Sequence, residues 1–147
     1  MARHRARRQA LQLLYQWDMR RTQDPPDIEA ILRGYYTSLL ISEDTVAQPR
    51  PDPFAEILMR GVIEDLTGID ERIARHAEHW RLDRMPVVDR NILRIAVYEM
   101  MRTDTPPAVV IDEALELARQ FSGEESVHFV NGVLDAVRRE LPAAAVS

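Results

Sequence analysis

The sequence predicts an all-α protein of about seven helices in two small packed bundles. Three observations predict it. Apolar residues recur at intervals of three and four along nearly the whole chain. The segments between these stripes are short and carry Pro, Gly, Asp or Thr, as helix boundaries do. No stretch sustains the alternation of a half-buried strand. At 147 residues the chain is long enough for a core of its own. One domain is expected, with approximate sub-bundles over residues 1–68 and 69–147.

Each element has its own pattern. Ala6, Ala10, Leu13, Leu14 and Trp17 make the stripe of the first helix. Asp24-Pro25-Pro26-Asp27 breaks the chain, and Asp27 is placed to cap a second helix with Ile28, Ile31, Leu32, Tyr35 and Leu39 inside. Residues 42–52 are polar and broken by proline, and read as the longest loop. Asp52-Pro53 puts an N-cap before a proline at the first helical position, where the missing N–H costs nothing. The third helix carries Phe54, Ile57, Leu58, Val62 and Leu66, and Thr67-Gly68 is expected to end it. Thr67 and Asp70 have the spacing of a capping box for a fourth helix, with Ile69, Ile73, Ala77 and Trp80 on its stripe. Met85-Pro86 precedes a fifth, with Val88, Ile92, Ile95 and Ala96. Thr105-Pro106-Pro107 ends that helix, and Val110, Ala114, Leu117, Ala118 and Phe121 define a sixth. The β-branched run Val109-Val110-Ile111 still fits a helix, because Glu113, Glu116 and Arg119 follow at helical spacing. Ser122-Gly123 makes a turn, and Val130, Val133, Leu134, Val137 and Leu141 define a seventh.

Composition narrows the function. There is no Cys, which excludes disulfides and thiolate metal sites. No apolar run approaches the roughly 20 residues that span a bilayer, and the N-terminus lacks the apolar stretch of a signal peptide. A cytoplasmic protein with no membrane partner is expected. The formal net charge of −5 hides an asymmetry: all 19 basic residues are Arg, and four of them precede the first acid, Asp18. A basic head thus stands before a strongly acidic body, and an acidic total does not exclude binding to a polyanion through a local patch.

That head is costly for a helix. A helix N-terminus is partly positive and favours Asp or Glu, so each misplaced cation costs roughly 0.3–1 kcal/mol at low salt. An external polyanion reverses the sign. Arg7-Leu11-Tyr15 and Arg8-Gln12-Gln16 are i, i+4 rows. They offer guanidinium groups for phosphates, amides for base edges and a phenol for stacking, a mixture suited to single-stranded RNA. A solvated basic head with Tyr15 half-buried is the plainer alternative.

The segment from Arg3 to Trp17, RHRARRQALQLLYQW, resembles the arginine-rich first helix of the NusB family. Asp89 to Glu99 (DRNILRIAVYE), Pro107 to Phe121 (PAVVIDEALELARQF) and Phe129 to Asp135 (FVNGVLD) resemble its later helices, in the same order and spacing. Residues 20–52 carry the least of the resemblance. It implies a fold of two helical bundles, and binding to boxA-type RNA in antitermination of ribosomal RNA transcription. It also implies a partner, the small-subunit ribosomal protein NusE, within an elongation complex holding other Nus factors. By carry-over, Arg3, Arg5, Arg7 and Arg8 meet phosphates and bases, Gln12, Tyr15 and Gln16 extend that surface, and Phe121 adds a stacking ring. The family's Phe-Gly turn reads Phe121-Ser122-Gly123 here, so Phe121 has two expected orientations, toward RNA or into the core. The family's Asn before Glu113 is Asp112, an acid that weakens RNA contact if exposed. Tyr98, Glu99 and Arg102 are assigned to the partner surface. Replacing Arg7 and Arg8 together by Ala is expected to weaken RNA binding and spare the fold.

Other residues read as structural. Asp89 sits near a helix start. Arg90 and Arg94 are placed to hold acids of neighbouring helices. Asn131-Gly132 inside a helix suggests close helix approach, because Gly costs about 1 kcal/mol relative to Ala there. Met59, Met85, Met100 and Met101 read as core filler. His76 and His79 lack the spacing and companions of a zinc site, so no metal and no cofactor are expected. No phosphate loop, nucleophile elbow or isolated carboxylate pair occurs, so no catalysis is expected. Two rival readings remain: a helical interaction module or homodimer that buries the basic helix, and the accessory domain of an RNA methyltransferase, for which 147 residues leave no room.

Overall fold

The computed structural model describes residues 2–20, 28–33, 52–77 and 81–141. Among them are seven α-helical segments, a 3-10 turn and no strand, so the all-α expectation holds. The helices are α1 (Ala2–Met19), α2 (residues 28–33), α3 (Pro53–Glu64), α4 (Leu66–His76), α5 (Val87–Arg102), α6 (Pro107–Phe121) and α7 (Glu124–Glu140). The 3-10 turn, Leu82–Arg84, leads through Met85-Pro86 into α5. Tyr35, Leu39, His79, Trp80 and nearly all of the 42–52 loop lie outside the described residues.

Local chemistry sets most boundaries. Asp52 Oδ1 accepts the Phe54 N–H at 2.8 Å, and Pro53 follows as the first helical residue. Pro107 is likewise the first helical residue of α6, but it follows Pro106 and has no side-chain cap. The α3–α4 junction differs from expectation. Asp65 alone separates the two helices, and α4 begins before Thr67. The Thr67–Asp70 capping box therefore does not form, and the sub-bundle border placed at 68/69 falls inside α4. Asp70 turns instead to Arg94, two bonds to which outweigh one cap.

α5 organises the fold. It packs against α1, α3, α4, α6 and α7, and its side chains explain why. Ile92, Leu93, Ile95, Ala96, Val97 and Met100 are all buried, so apolar surface faces nearly every direction. The core joins these to Leu13, Leu14, Leu58, Met59, Val62, Ile69, Ile73, Leu117, Val130 and Leu134 in one cluster. The methionines behave as filler, with Met59, Met85 and Met100 buried and Met101 packed at the edge. Ile57 departs from its assigned stripe and is exposed on α3; Ala55 and Met59 take the inward positions. Gly61 allows a close approach, since a Cβ there would overlap the Tyr98 ring of α5. Gly132 gives the opposite result. It is exposed and nothing stands within 4 Å of an added Cβ, so close helix approach does not explain Asn131-Gly132.

Candidate nucleic-acid interface

α1 lies antiparallel to α5, with Arg7 level with Glu99 at one end and Asp18 level with Arg90 at the other. The inward side of α1 carries the stripe Ala6, Ala10, Leu13, Leu14 and Trp17, all buried as expected. Polar side chains close both ends of that stripe.

At the C-terminal end, Asp18 accepts Arg90 through both carboxylate oxygens, at 2.6 and 2.8 Å. It also accepts the Asn91 amide and Arg94, each at 3.0 Å. Arg94 makes two further bonds to Asp70, at 2.8 and 2.9 Å. The network joins α1, α4 and α5 and confirms the pairing expected for Arg90 and Arg94. Burial alone would raise the Asp18 pKa, but Arg90, Arg94 and Asn91 together hold the carboxyl below its ordinary range. Asp89 is structural as well: it is buried and accepts the hydroxyls of Ser122 and Ser126, both at 2.7 Å, tying α5 to the α6–α7 turn.

At the N-terminal end, two site assignments need correction. Arg7 is only 4% exposed and Glu99 only 1%. They form a two-pronged pair at 2.9 and 2.6 Å, and the bond to Glu99 raises the Arg7 pKa against the cost of burial. Arg7 is thus no open phosphate ligand in this structure, and Glu99 is no surface contact for a partner. Each is neutralised by the other across the α1–α5 seam. For the same reason the Arg7→Ala, Arg8→Ala double substitution is expected to destabilise the fold, because it strands the Glu99 carboxylate in the core.

Two more residues of the head are held. Arg3 lies over the Phe54 ring, 4.2 Å from its centre, and reaches Thr105 Oγ1 at 3.5 Å. His4 Nδ1 donates to Glu113 Oε2 at 2.8 Å. Gln9 Oε1 accepts the Asp52 N–H at 2.7 Å and ties α1 to the start of α3.

What remains outside is one continuous face. Arg5, Arg8, Gln12, Tyr15 and Met19 follow at spacings of three and four and are all exposed. Among the described residues, neither Arg5 nor Arg8 is paired with an acid. Tyr15 is 40% exposed, its ring accessible rather than sunk in the core. Gln16 is half-buried at the margin. Met19 is a member of this face that the sequence reading omits, although its spacing from Tyr15 signals it. Phe121 is 48% exposed at the end of α6, which settles its orientation away from the core. α6 begins where α5 ends and runs back along it, so Phe121 lies toward the same end of α5 as Asp18 and Met19. Asp112 is exposed too. Of the remaining partner assignments, Tyr98 is partly buried over Gly61, and Arg102 is exposed with Asp65 3.8 Å away.

His76 pairs with Glu140 at 2.8 Å, beside Arg72 and Arg75, and fastens α4 to the end of α7. Among the described residues, no helix is long and apolar enough to cross a membrane.

Residues 4–139 match the model of the NusB family. The chain is 58% identical over 141 residues to the transcription antitermination protein NusB of Solibacter usitatus, covering 96% of this chain and 91% of that one. It is 45% identical over 142 residues to the same-named protein of Anaeromyxobacter dehalogenans, covering 97% and 94%. Among solved structures it resembles NusB of T. maritima, with a TM-score of 0.77 and 37% identity over 97% of this chain and 95% of that one. It also resembles a chain in the crystal structure of the antitermination factors NusB and NusE with double-stranded RNA, with a TM-score of 0.74 and 27% identity over 96% and 100%.

Proposed function

Since the chain belongs to the NusB family, we propose that it is a transcription antitermination factor that binds boxA-type single-stranded RNA together with NusE and supports ribosomal RNA transcription. The observation that carries this reading is the face Arg5-Arg8-Gln12-Tyr15, exposed on one helix with both guanidinium groups unpaired among the described residues. In a protein of net charge −5, two exposed cations kept clear of acids are available for phosphates. Tyr15 offers a ring for a base, and Gln12 offers an amide for a base edge. Phe121 supplies a second exposed ring, and Arg3 is within the same N-terminal region. The solved complex of a relative with NusE and double-stranded RNA supports NusE and RNA as the classes of partner.

The protein acts in this reading as a cytoplasmic scaffold without catalysis, inside an elongation complex with other Nus factors. Its buried carboxylates, Asp18, Asp89 and Glu99, are occupied with structural bonds. Tyr98 and Arg102 stay assigned to the NusE side, without Glu99.

The test is a fluorescence-anisotropy titration of a labelled boxA-like strand against a scrambled strand and a duplex, at two salt concentrations, with and without NusE. Salt-sensitive binding that prefers the boxA-like strand and tightens with NusE is expected. Arg5→Ala with Arg8→Ala should weaken it and flatten the log–log salt slope by about 0.7 for each phosphate no longer neutralised. An unchanged affinity in that variant would refute the face. Dimers seen by light scattering that dissociate on adding RNA would move the weight to a protein interface.

A further inference from the structure

α1 begins with no acid in its first turn, although its helix end is partly positive and its first two turns carry Arg3, His4, Arg5, Arg7 and Arg8. The missing acid comes from another helix. Glu113, in the second turn of α6, places Oε2 2.8 Å from His4 Nδ1 and 3.9 Å from an Arg7 guanidinium nitrogen. Its side chain is mostly buried, so the contact is little screened by solvent. His4 and Arg7 stand three apart on the inner side of α1. Arg5 and Arg8 each follow by one position and stand three apart on the outer side. Holding the first pair therefore fixes the direction of the second.

We propose that Glu113 is a positioning residue for RNA binding: it touches no RNA, but clamps the first two turns of α1 so that Arg5 and Arg8 are presented together. The inference rests on the RNA reading above. It goes beyond that reading because it gives an acid a favourable role toward a polyanion. Simple electrostatics demands the opposite, since deleting a carboxylate near an RNA site strengthens attraction for phosphate. Pre-ordering the helix saves the entropy of ordering it on binding, and that saving appears as affinity.

The two effects differ in sign, so an RNA titration separates them. Glu113→Ala is expected to weaken binding of a labelled single strand about tenfold, the scale of one charge-assisted hydrogen bond. Glu113→Gln keeps an acceptor for His4 and should fall between Ala and the native protein. Amide hydrogen exchange should rise at residues 3–8 in Glu113→Ala, with α5 and α7 still protected. If Glu113→Ala does not fold, Glu113→Gln alone carries the test. Affinity equal to or tighter than native in the folded variant overturns the proposal. Arg5→Ala with Arg8→Ala is run beside it: if that pair has no effect, the RNA face itself is wrong; if it weakens binding and the Glu113 variants do not, only the clamp is.

Discussion

Among single residues, Arg7 and Glu99 illustrate how burial reverses the meaning of a charge. An exposed ion pair contributes little, whereas a buried one must stay complete. Removing Arg7 strands the Glu99 carboxylate in the α1–α5 seam, and removing Glu99 leaves Arg7 only the longer contact to Glu113, at 3.9 Å. Arg7→Met or Glu99→Leu alone should therefore destabilise the fold by about 3–5 kcal/mol. The two together should recover most of that loss, because an apolar pair of similar volume needs no partner. Urea denaturation of the two singles and the double checks this; singles that cost nothing would mean the seam is wet. Exposed Arg8, one position further on, should show no comparable loss when changed to Ala.

Among the helices, two glycines have opposite surroundings. Gly61 of α3 lies under the Tyr98 ring, and a methyl group there would collide with it. Gly61→Ala should cost about 1–3 kcal/mol, the usual penalty for overpacking, despite the better helix propensity of Ala. Gly132 of α7 faces open space. Gly132→Ala should add about 1 kcal/mol through propensity alone. Thermal melts of the two variants should move in opposite directions. Both glycines read alike in the sequence; only the helix packed opposite distinguishes them.

Across the molecule as a whole, Asp18 anchors a network that joins three helices, meeting α5 directly and α4 through Arg94 and Asp70. Its carboxyl is held below the usual range, so its contribution is complete above the ordinary carboxylate pKa and is lost as the pH falls through the lowered value. Acid unfolding should therefore steepen below about pH 4. Asp18→Asn should destabilise the protein at neutral pH by about 3–5 kcal/mol, because Arg90 loses its bonded counter-charge and Arg94 keeps only Asp70, and should flatten the acid limb of the stability curve. A variant with an unchanged acid limb would assign that limb to other groups, such as Glu140, whose pKa is also lowered despite some desolvation, by His76, Arg72 and Arg75.

Local pattern suffices to specify the helices, because the 3.6-residue period and the proline and aspartate boundaries involve only near neighbours in the chain. The stripes of α1 and α5, that of α6 as far as Ala118, that of α7 as far as Val137 and the Asp52-Pro53 start lie where those patterns put them, whereas Phe121 turns outward and Leu141 falls just past the end of α7. The same pattern marks the basic head as unusual for a helix N-terminus. Part of the sorting of that head is legible too: Arg7 falls three, four and seven residues before Ala10, Leu11 and Leu14, on the buried side, while Arg8 falls four and seven before Gln12 and Tyr15. Glu99 likewise follows Ile92, Ile95 and Ala96 on the inner side of α5. Which charge meets which is a matter of packing. Arg7 with Glu99, His4 with Glu113 and Asp18 with Arg90 are separated by 92, 109 and 72 positions. No local pattern specifies such pairs; they exist because α1 is laid antiparallel on α5, beside α6, by the burial of their shared apolar stripes.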